Sequence, residues 1–179
     1  MKRLAGIFAG LSLAILIAGL LLWLRVVPLT PTVPPETALT GPVDRIVVEK
    51  AARRLTLWQN GQPVRVWSIA LGFAPEGDKE RQGDGKTPEG RFRIDRRNAA
   101  SAYHLSLGLD YPQPEDRARA QAAGYSPGGD IMIHGQPNVV PEGMRVPGDW
   151  TAGCIALTND QIRQLWEVAP IGTEVEVRP

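Results

Sequence analysis

The sequence predicts a mainly β domain, a sandwich or flattened barrel with a few short helices, and three observations predict it. Short runs rich in Val, Ile, Leu and Thr recur from Ile46 to Val177, several of them alternating with period two. Turn residues separate the runs, drawn from a pool of 19 glycines and 16 prolines. Helix signals are confined to two short stretches near the C-terminal half, at Asp116–Ala123 and after Thr158.

The chain begins differently. Lys2 and Arg3 precede Leu4–Leu24, a stretch without a charged residue. As a helix it spans about 31 Å at 1.5 Å per residue, the thickness of a hydrocarbon core. It is longer than the ~7–15 residues of a signal-peptide apolar region, and no clear small-x-small site follows Trp23. Residues 1–25 are therefore expected to be a transmembrane helix that stays as an anchor. The basic pair would lie on the cytoplasmic side. A cleaved export signal is the alternative. Residues 26–43 carry Pro28, Pro31, Pro34, Pro35 and Pro42. Such a linker favours polyproline II and reaches roughly 50 Å at about 3.1 Å per residue.

Residues 44–179 are the expected folded domain, long enough for one core. Arg45–Glu49 and Arg54–Trp58 read as strands. Asn60-Gly61 is a hairpin signal before a third strand at Val64–Leu71. Phe73–Pro88 is rich in Gly, Pro and charge, hence a loop. Arg91–Ile94 resumes a strand. Tyr103–Leu109 alternates, with Tyr103, Leu105 and Leu107 on one face and His104 and Ser106 on the other. Asp116–Ala123 reads as a short helix ended by Gly124. Asp130–His134 is a further strand. Thr158-Asn159-Asp160-Gln161 is a capping box that starts a helix through about Val168. Glu174–Val177 is the last strand.

Chemistry concentrates in two stretches, Ile131-Met132-Ile133-His134-Gly135 and Asp149-Trp150-Thr151-Ala152-Gly153-Cys154-Ile155. Cys154 is the only cysteine and His134 one of two histidines. A lone cysteine is more often a small buried hydrophobe than a nucleophile. One that follows a glycine, in a chain with a histidine ending an apolar strand, also reads as a nucleophile with its base. A neighbouring imidazole can take the thiol proton, leaving Cys154 partly thiolate at neutral pH. Gly153 permits close backbone approach. The N–H of Cys154, with that of Gly153, can then face an oxyanion.

Other residues are weaker candidates. His104 and Trp150 are candidates for the substrate cleft, although a structural place suits each as well. Arg145 lies in the Gly- and Pro-punctuated segment between the two motifs, where a guanidinium can meet a substrate carboxylate. Net charge is +1, with 20 basic and 19 acidic residues, so nothing marks a nucleic-acid partner. One cysteine excludes an internal disulfide, and one cysteine with two histidines makes no zinc set.

From Ile46 onward the chain resembles the L,D-transpeptidase catalytic domain of the YkuD type. The resemblance rests on His134-Gly135 followed by Thr151-Ala152-Gly153-Cys154-Ile155. Leu57-Trp58-Gln59-Asn60-Gly61, Gly85-Lys86-Thr87-Pro88-Glu89-Gly90-Arg91-Phe92 and Leu157-Thr158-Asn159-Asp160 also carry it. Ala152 stands where the family usually has histidine, and Ala156 where it commonly has arginine. The resemblance implies a cell-envelope enzyme, anchored in the inner membrane with its domain in the periplasm, or exported if the signal is cleaved. Its partners would be peptidoglycan stem peptides and, through the N-terminal helix, the membrane.

Under that resemblance Cys154 attacks a tetrapeptide stem and forms a thioester, with His134 as base and then acid. The carbonyl of Gly135 orients the imidazole. An amine from a second stem resolves the thioester, and no cofactor or metal is required. Three alternatives stay open: hydrolysis at the same site by a carboxypeptidase or amidase, a non-catalytic wall-binding protein, and an unrelated membrane-anchored interaction protein with a buried structural cysteine. Oligomeric state is not legible in the sequence.

Overall fold

The computed structural model describes residues 39–179. The expected membrane helix at residues 1–25 and most of the linker at 26–43 lie outside the described residues. Among those described, no helix is long and apolar enough to cross a membrane.

The domain is built on one eight-stranded sheet with two helices. The first three strands are β1 (Arg45–Glu49), β2 (Arg54–Gln59) and β3 (Gln62–Ser68). They are followed by β4 (Gly90–Ser101) and β5 (His104–Leu109). Then come β6 (Met132–His134), β7 (Ile155–Ala156) and β8 (Glu174–Arg178). The helices are α1 (Pro114–Ala122) and α2 (Asn159–Val168). Strand order is β3-β2-β1-β8-β4-β5-β6-β7.

The sandwich is therefore the wrong half of the expectation. Two facing sheets would leave β4 in one of them, whereas this strand belongs to both parts of a single curled sheet. Its first residues, Gly90–Arg93, pair with β8, and the stretch from Ile94 to Ser101 pairs with β5. The register shifts between Ile94 and Arg96, the kind of irregularity that bends a strand and turns the sheet. The curl brings the far ends together. After β3 the chain runs on through Ala70, whose N–H and C=O exchange hydrogen bonds with Ala156 of β7 at 3.0 and 2.8 Å.

Local chemistry explains the individual elements. Asn60 and Gly61 both have positive φ, 52° and 73°, the backbone of a two-residue hairpin turn whose twist suits the strands it joins. Thr158 caps α2. Its hydroxyl accepts from the Gln161 N–H at 3.3 Å, and the Gln161 side chain accepts from the Thr158 N–H at 3.0 Å. Ile162, Leu165 and Val168 are the buried stripe of that helix. α1 starts two residues before its expected position, with Pro114 in its first turn and Asp116 accepting from the Gln113 N–H at 2.9 Å.

Four strand expectations change, and the first is Asp130–His134, which begins only at Met132, after a positive φ of 54° at Asp130. β3 stops at Ser68 rather than Leu71 because, past Ile69, Ala70 joins β7 and Leu71 the segment at Thr151. β4 is much longer than Arg91–Ile94; its second half is mostly exposed and is held by pairing with β5 rather than by an apolar face. The alternation of β5 does not reach Tyr103, because His104 has φ +69° and the chain turns there.

Candidate active site

Three adjacent strands set the site. β5 pairs antiparallel with β6, and β6 pairs parallel with β7. Leu107, Ile133 and Ile155 stand in one row across the three and are fully buried. Burial of each such side chain stabilises the sheet by about 1.5–3 kcal/mol relative to exposure. Because side chains alternate, residues flanking that row face the other way. Ser106, His134 and Met132 thus line a cavity of about 480 Å³ with Cys154, which lies one residue before β7. Tyr103, Trp150 and Asp130 complete much of its wall. Two residues twenty positions apart in sequence share one cavity because their strands are neighbours.

His134 is only 3 % exposed. Its Nδ1 lies 2.7 Å from the carbonyl oxygen of Gly135. A carbonyl can only accept, so Nδ1 carries the proton and Nε2 is left as the basic nitrogen. The ring is also held by aromatic neighbours. Tyr103 lies 4.5 Å away, tilted by 35°, and Trp150 lies 5.6 Å away at 62°. Burial pushes the imidazole below its ordinary value, and the Gly135 carbonyl only partly opposes this.

Cys154 is half-buried, and its Sγ hydrogen-bonds the main-chain carbonyl of Asp130 at 3.4 Å. Burial pushes the thiol up from its ordinary value, against a pull downward from the Met132 N–H. The partial thiolate expected from the sequence is thus corrected. Desolvation in the cavity favours the neutral form of both groups, thiol and imidazole.

Thr151 shapes the turn before Cys154. Its hydroxyl donates to the Cys154 carbonyl at 2.7 Å and accepts from the Gly153 N–H at 3.1 Å. The Gly153 N–H is thereby occupied, whereas no hydrogen-bond partner is found for the Cys154 N–H among the described residues. Of the two N–H groups expected to face an oxyanion, that leaves Cys154's open and Gly153's engaged. Gly153 serves through its backbone. Its φ is +134°, and a Cβ there would stand 2.7 Å from the Lys86 carbonyl oxygen. Gly135 is equally constrained, since a Cβ would stand 2.7 Å from Asn159 Oδ1.

The weaker candidates separate. Trp150 lines the cavity, and its Nε1 is buried without a hydrogen-bond partner. His104 is not in the cavity wall. Its turn aims the ring at α2, where Arg163 Nη1 donates to Nε2 at 3.0 Å. Arg145 lines a different cavity, of about 390 Å³, with Arg53, Asp149 and Gln136. Sequence reasoning missed Tyr103, Asp130 and the hydroxyl of Thr151. Thr151 sat within the quoted motif; Tyr103 and Asp130 reach the cavity from turns that alternation does not describe. Among the described residues no group of three His, Cys, Asp or Glu side chains is arranged to hold a metal ion.

The chain is similar in sequence and fold to several known proteins. The YafK protein of Escherichia coli (strain K12) is 30% identical over 93 residues, covering 51% of this chain and 31% of YafK. The YqjB protein of Bacillus subtilis (strain 168) is 25% identical over 134 residues, 73% of this chain and 68% of YqjB. Among solved structures, the helical cell shape determining protein Pgp2 of Campylobacter jejuni superposes with a TM-score of 0.59 at 27% identity. That match covers 77% of this chain and 48% of the Pgp2 chain. An L,D-transpeptidase from Xylanimonas cellulosilytica, 17% identical with a TM-score of 0.53, shares the fold over 80% of this chain and 64% of its own. The chain thus spans about a third of YafK and about half of Pgp2. The model of the L,D-transpeptidase catalytic domain, YkuD, matches residues 43–177, and the chain belongs to that family.

Proposed function

We propose that the protein is a peptidoglycan L,D-transpeptidase of the cell envelope, acting through a cysteine thioester on tetrapeptide stems. One observation carries the reading. Cys154 and His134 line one cavity, with Nε2 of His134 left basic and the Cys154 N–H left without a partner. Nucleophile, base and oxyanion donor are the set that acyl transfer needs.

The steps follow from the neutral resting pair. The thiol proton passes to Nε2 as Sγ attacks the carbonyl carbon of the residue before the terminal D-alanine. The oxyanion accepts from the Cys154 N–H. On collapse the imidazolium returns its proton to the departing amine of D-alanine, leaving a thioester. An acceptor amine of another stem then loses a proton to Nε2, attacks the thioester carbonyl, and Cys154 leaves and regains a proton. The flanking rings of Tyr103 and Trp150 keep the imidazole from swinging between these steps.

Water in place of the amine gives the carboxypeptidase reading at the same site. Residues 1–25 as anchor and 26–43 as stalk belong to the same proposal. They would hold the domain in the periplasm within reach of the wall. The protein incubated with purified tetrapeptide stems and read by mass tests the proposal. A crosslinked product that is lost in Cys154→Ala is expected. Free D-alanine with only trimmed peptide would replace transpeptidation by hydrolysis. No product with the intact protein would leave a binding protein.

A further inference from the structure

One charged group at the cavity is not used by the chemistry above. Asp130 lines the cavity beside Cys154 and gives its carbonyl to the thiol. Its φ of +54° is a left-handed backbone that few residues other than Gly, Asn and Asp adopt readily. Its carboxylate is 92 % exposed and carries one salt-bridge partner, Arg96 Nη2 at 2.9 Å on Oδ1. Arg96 Nη1 is held by both oxygens of Asp95, each at 3.0 Å. The guanidinium lies across Gly108 of β5: a Cβ there would stand 2.5 Å from Arg96 Cγ and 2.8 Å from Cζ. Gly108 is thus the bed on which a cation is laid at the edge of the site. The charges of Asp130 and Arg96 are both felt at the thiol.

We infer that Asp130 and Arg96 form a recognition rim for a zwitterionic α-amino-acid group, an ammonium and a carboxylate on one carbon, carried by the substrate that reaches Cys154. In the free protein the two side chains pair with each other. An exposed pair of this kind is weak and easily opened. On binding, Arg96 keeps Asp95 and turns Nη2 from Asp130 to the ligand carboxylate. Asp130 then presents both oxygens to the ligand ammonium. One internal ion pair is exchanged for two to the ligand, and the guanidinium stays in place on Gly108. A ligand with only one of the two charges breaks the resting pair and leaves a side chain unpaired, so the rim selects for the zwitterion.

The inference rests on the proposed wall chemistry only for the source of the group, which is either the acyl donor or the acyl acceptor. The test therefore has two arms on the full chain. The first uses small thiol reagents on Cys154: one neutral, one with a quaternary ammonium and one with a sulfonate, each rate read relative to the neutral reagent. Asp130→Asn, which keeps a residue suited to positive φ, is expected to slow the cationic reagent about fivefold, and Arg96→Gln the anionic one by a similar factor. Unchanged ratios in both variants would overturn the rim, whether or not the protein turns over wall peptides. The second arm compares stems whose zwitterionic group is intact, amidated at the carboxylate or acetylated at the amine. Arg96→Gln should raise KM about tenfold for the intact group and not for the amidated one, with kcat nearly constant. Asp130→Asn should do the same against acetylation. Modification on the donor that slows thioester formation assigns the rim to the donor, and on the acceptor that slows thioester resolution, to the acceptor. Equal penalties on intact and modified stems would overturn the inference, because a merely structural role ignores ligand charge.

Discussion

Thr151 ties the nucleophile's turn with one hydroxyl, which donates to the Cys154 carbonyl and accepts from the Gly153 N–H. The side chain is buried, so removing the hydroxyl leaves two polar groups unpaired. Thr151→Val is expected to cost about 1–3 kcal/mol of stability and to lower turnover about tenfold or more. Thr151→Ser should recover most of both, as urea midpoints and product formation would show. The protonation of the reacting pair gives a second test. Burial raises the Cys154 thiol above its ordinary value of 9.0 and lowers His134 below 6.5. Alkylation of the free protein should therefore climb through alkaline pH with a midpoint above that of a free thiol, with no plateau near neutrality. A thiolate signal at pH 7 would show that the neutral pair is wrong. Both residues were legible in the sequence as lone chemistry-bearing side chains beside glycines. Their protonation was not, because it depends on how deeply Tyr103, Trp150 and the sheet cover them.

The loop between β3 and β4 is the element that backs the nucleophile. Its Lys86 carbonyl fills the space a side chain on Gly153 would need, and its Gly85 carbonyl stands 2.0 Å from where a Cβ on Gly72 would be. Composition marked it as a loop, yet nothing in the sequence announced that buried lysines hold it. Lys50 Nζ, 3 % exposed in its side chain, donates to the Gly77 and Thr87 carbonyls at 2.6 and 2.9 Å and to Glu89 at 2.8 Å. Lys50→Met is expected to destabilise the fold by about 3–5 kcal/mol, since it strands Glu89 and two carbonyls. Protease cleavage should then appear first within residues 73–89. Intact protection of that loop in the variant would mean that Lys50 is not its tether. Strand legibility had a similar limit. β1 and β2 were readable as β-rich apolar runs, and β8 as a last apolar run of the same kind. The second half of β4 was not, because pairing with β5 rather than its mostly exposed side chains holds it, and β7 was not, because two residues are too few to show a pattern.

In the whole molecule, sheet curvature gathers what the chain separates. The Ala70–Ala156 bridge joins the two ends of the sheet, and Asp149 fastens the same seam. It takes the Leu71 N–H at 2.9 Å and Arg53 Nη2 at 2.8 Å. A sequence can show that strands exist and that a family pattern runs through them. It does not show where two edges meet, which is why a barrel and a sandwich stood together as expectations. A fold that buries its base at this seam carries that burial into its acid stability. His134 has a lower affinity for protons when folded than when unfolded. At pH above about 6.5 both states are neutral and the full stability is present. Below it the unfolded chain gains a proton that the folded chain resists, so stability falls as pH falls. Asp84 acts in a lower window. Burial would raise its carboxyl, but hydrogen bonds from Lys79 and the N–H groups of Arg81, Glu80 and Lys86 overcome that and bring it to about 2. Its contribution is present above 3.8 and is lost as pH drops toward about 2. Urea midpoints across pH should accordingly show two separate declines. His134→Asn should flatten the first and leave the second, and Asp84→Asn the reverse. A first decline that persists unchanged in His134→Asn would assign it to another group, and the lowered proton affinity of His134, on which the neutral pair depends, would lose its support.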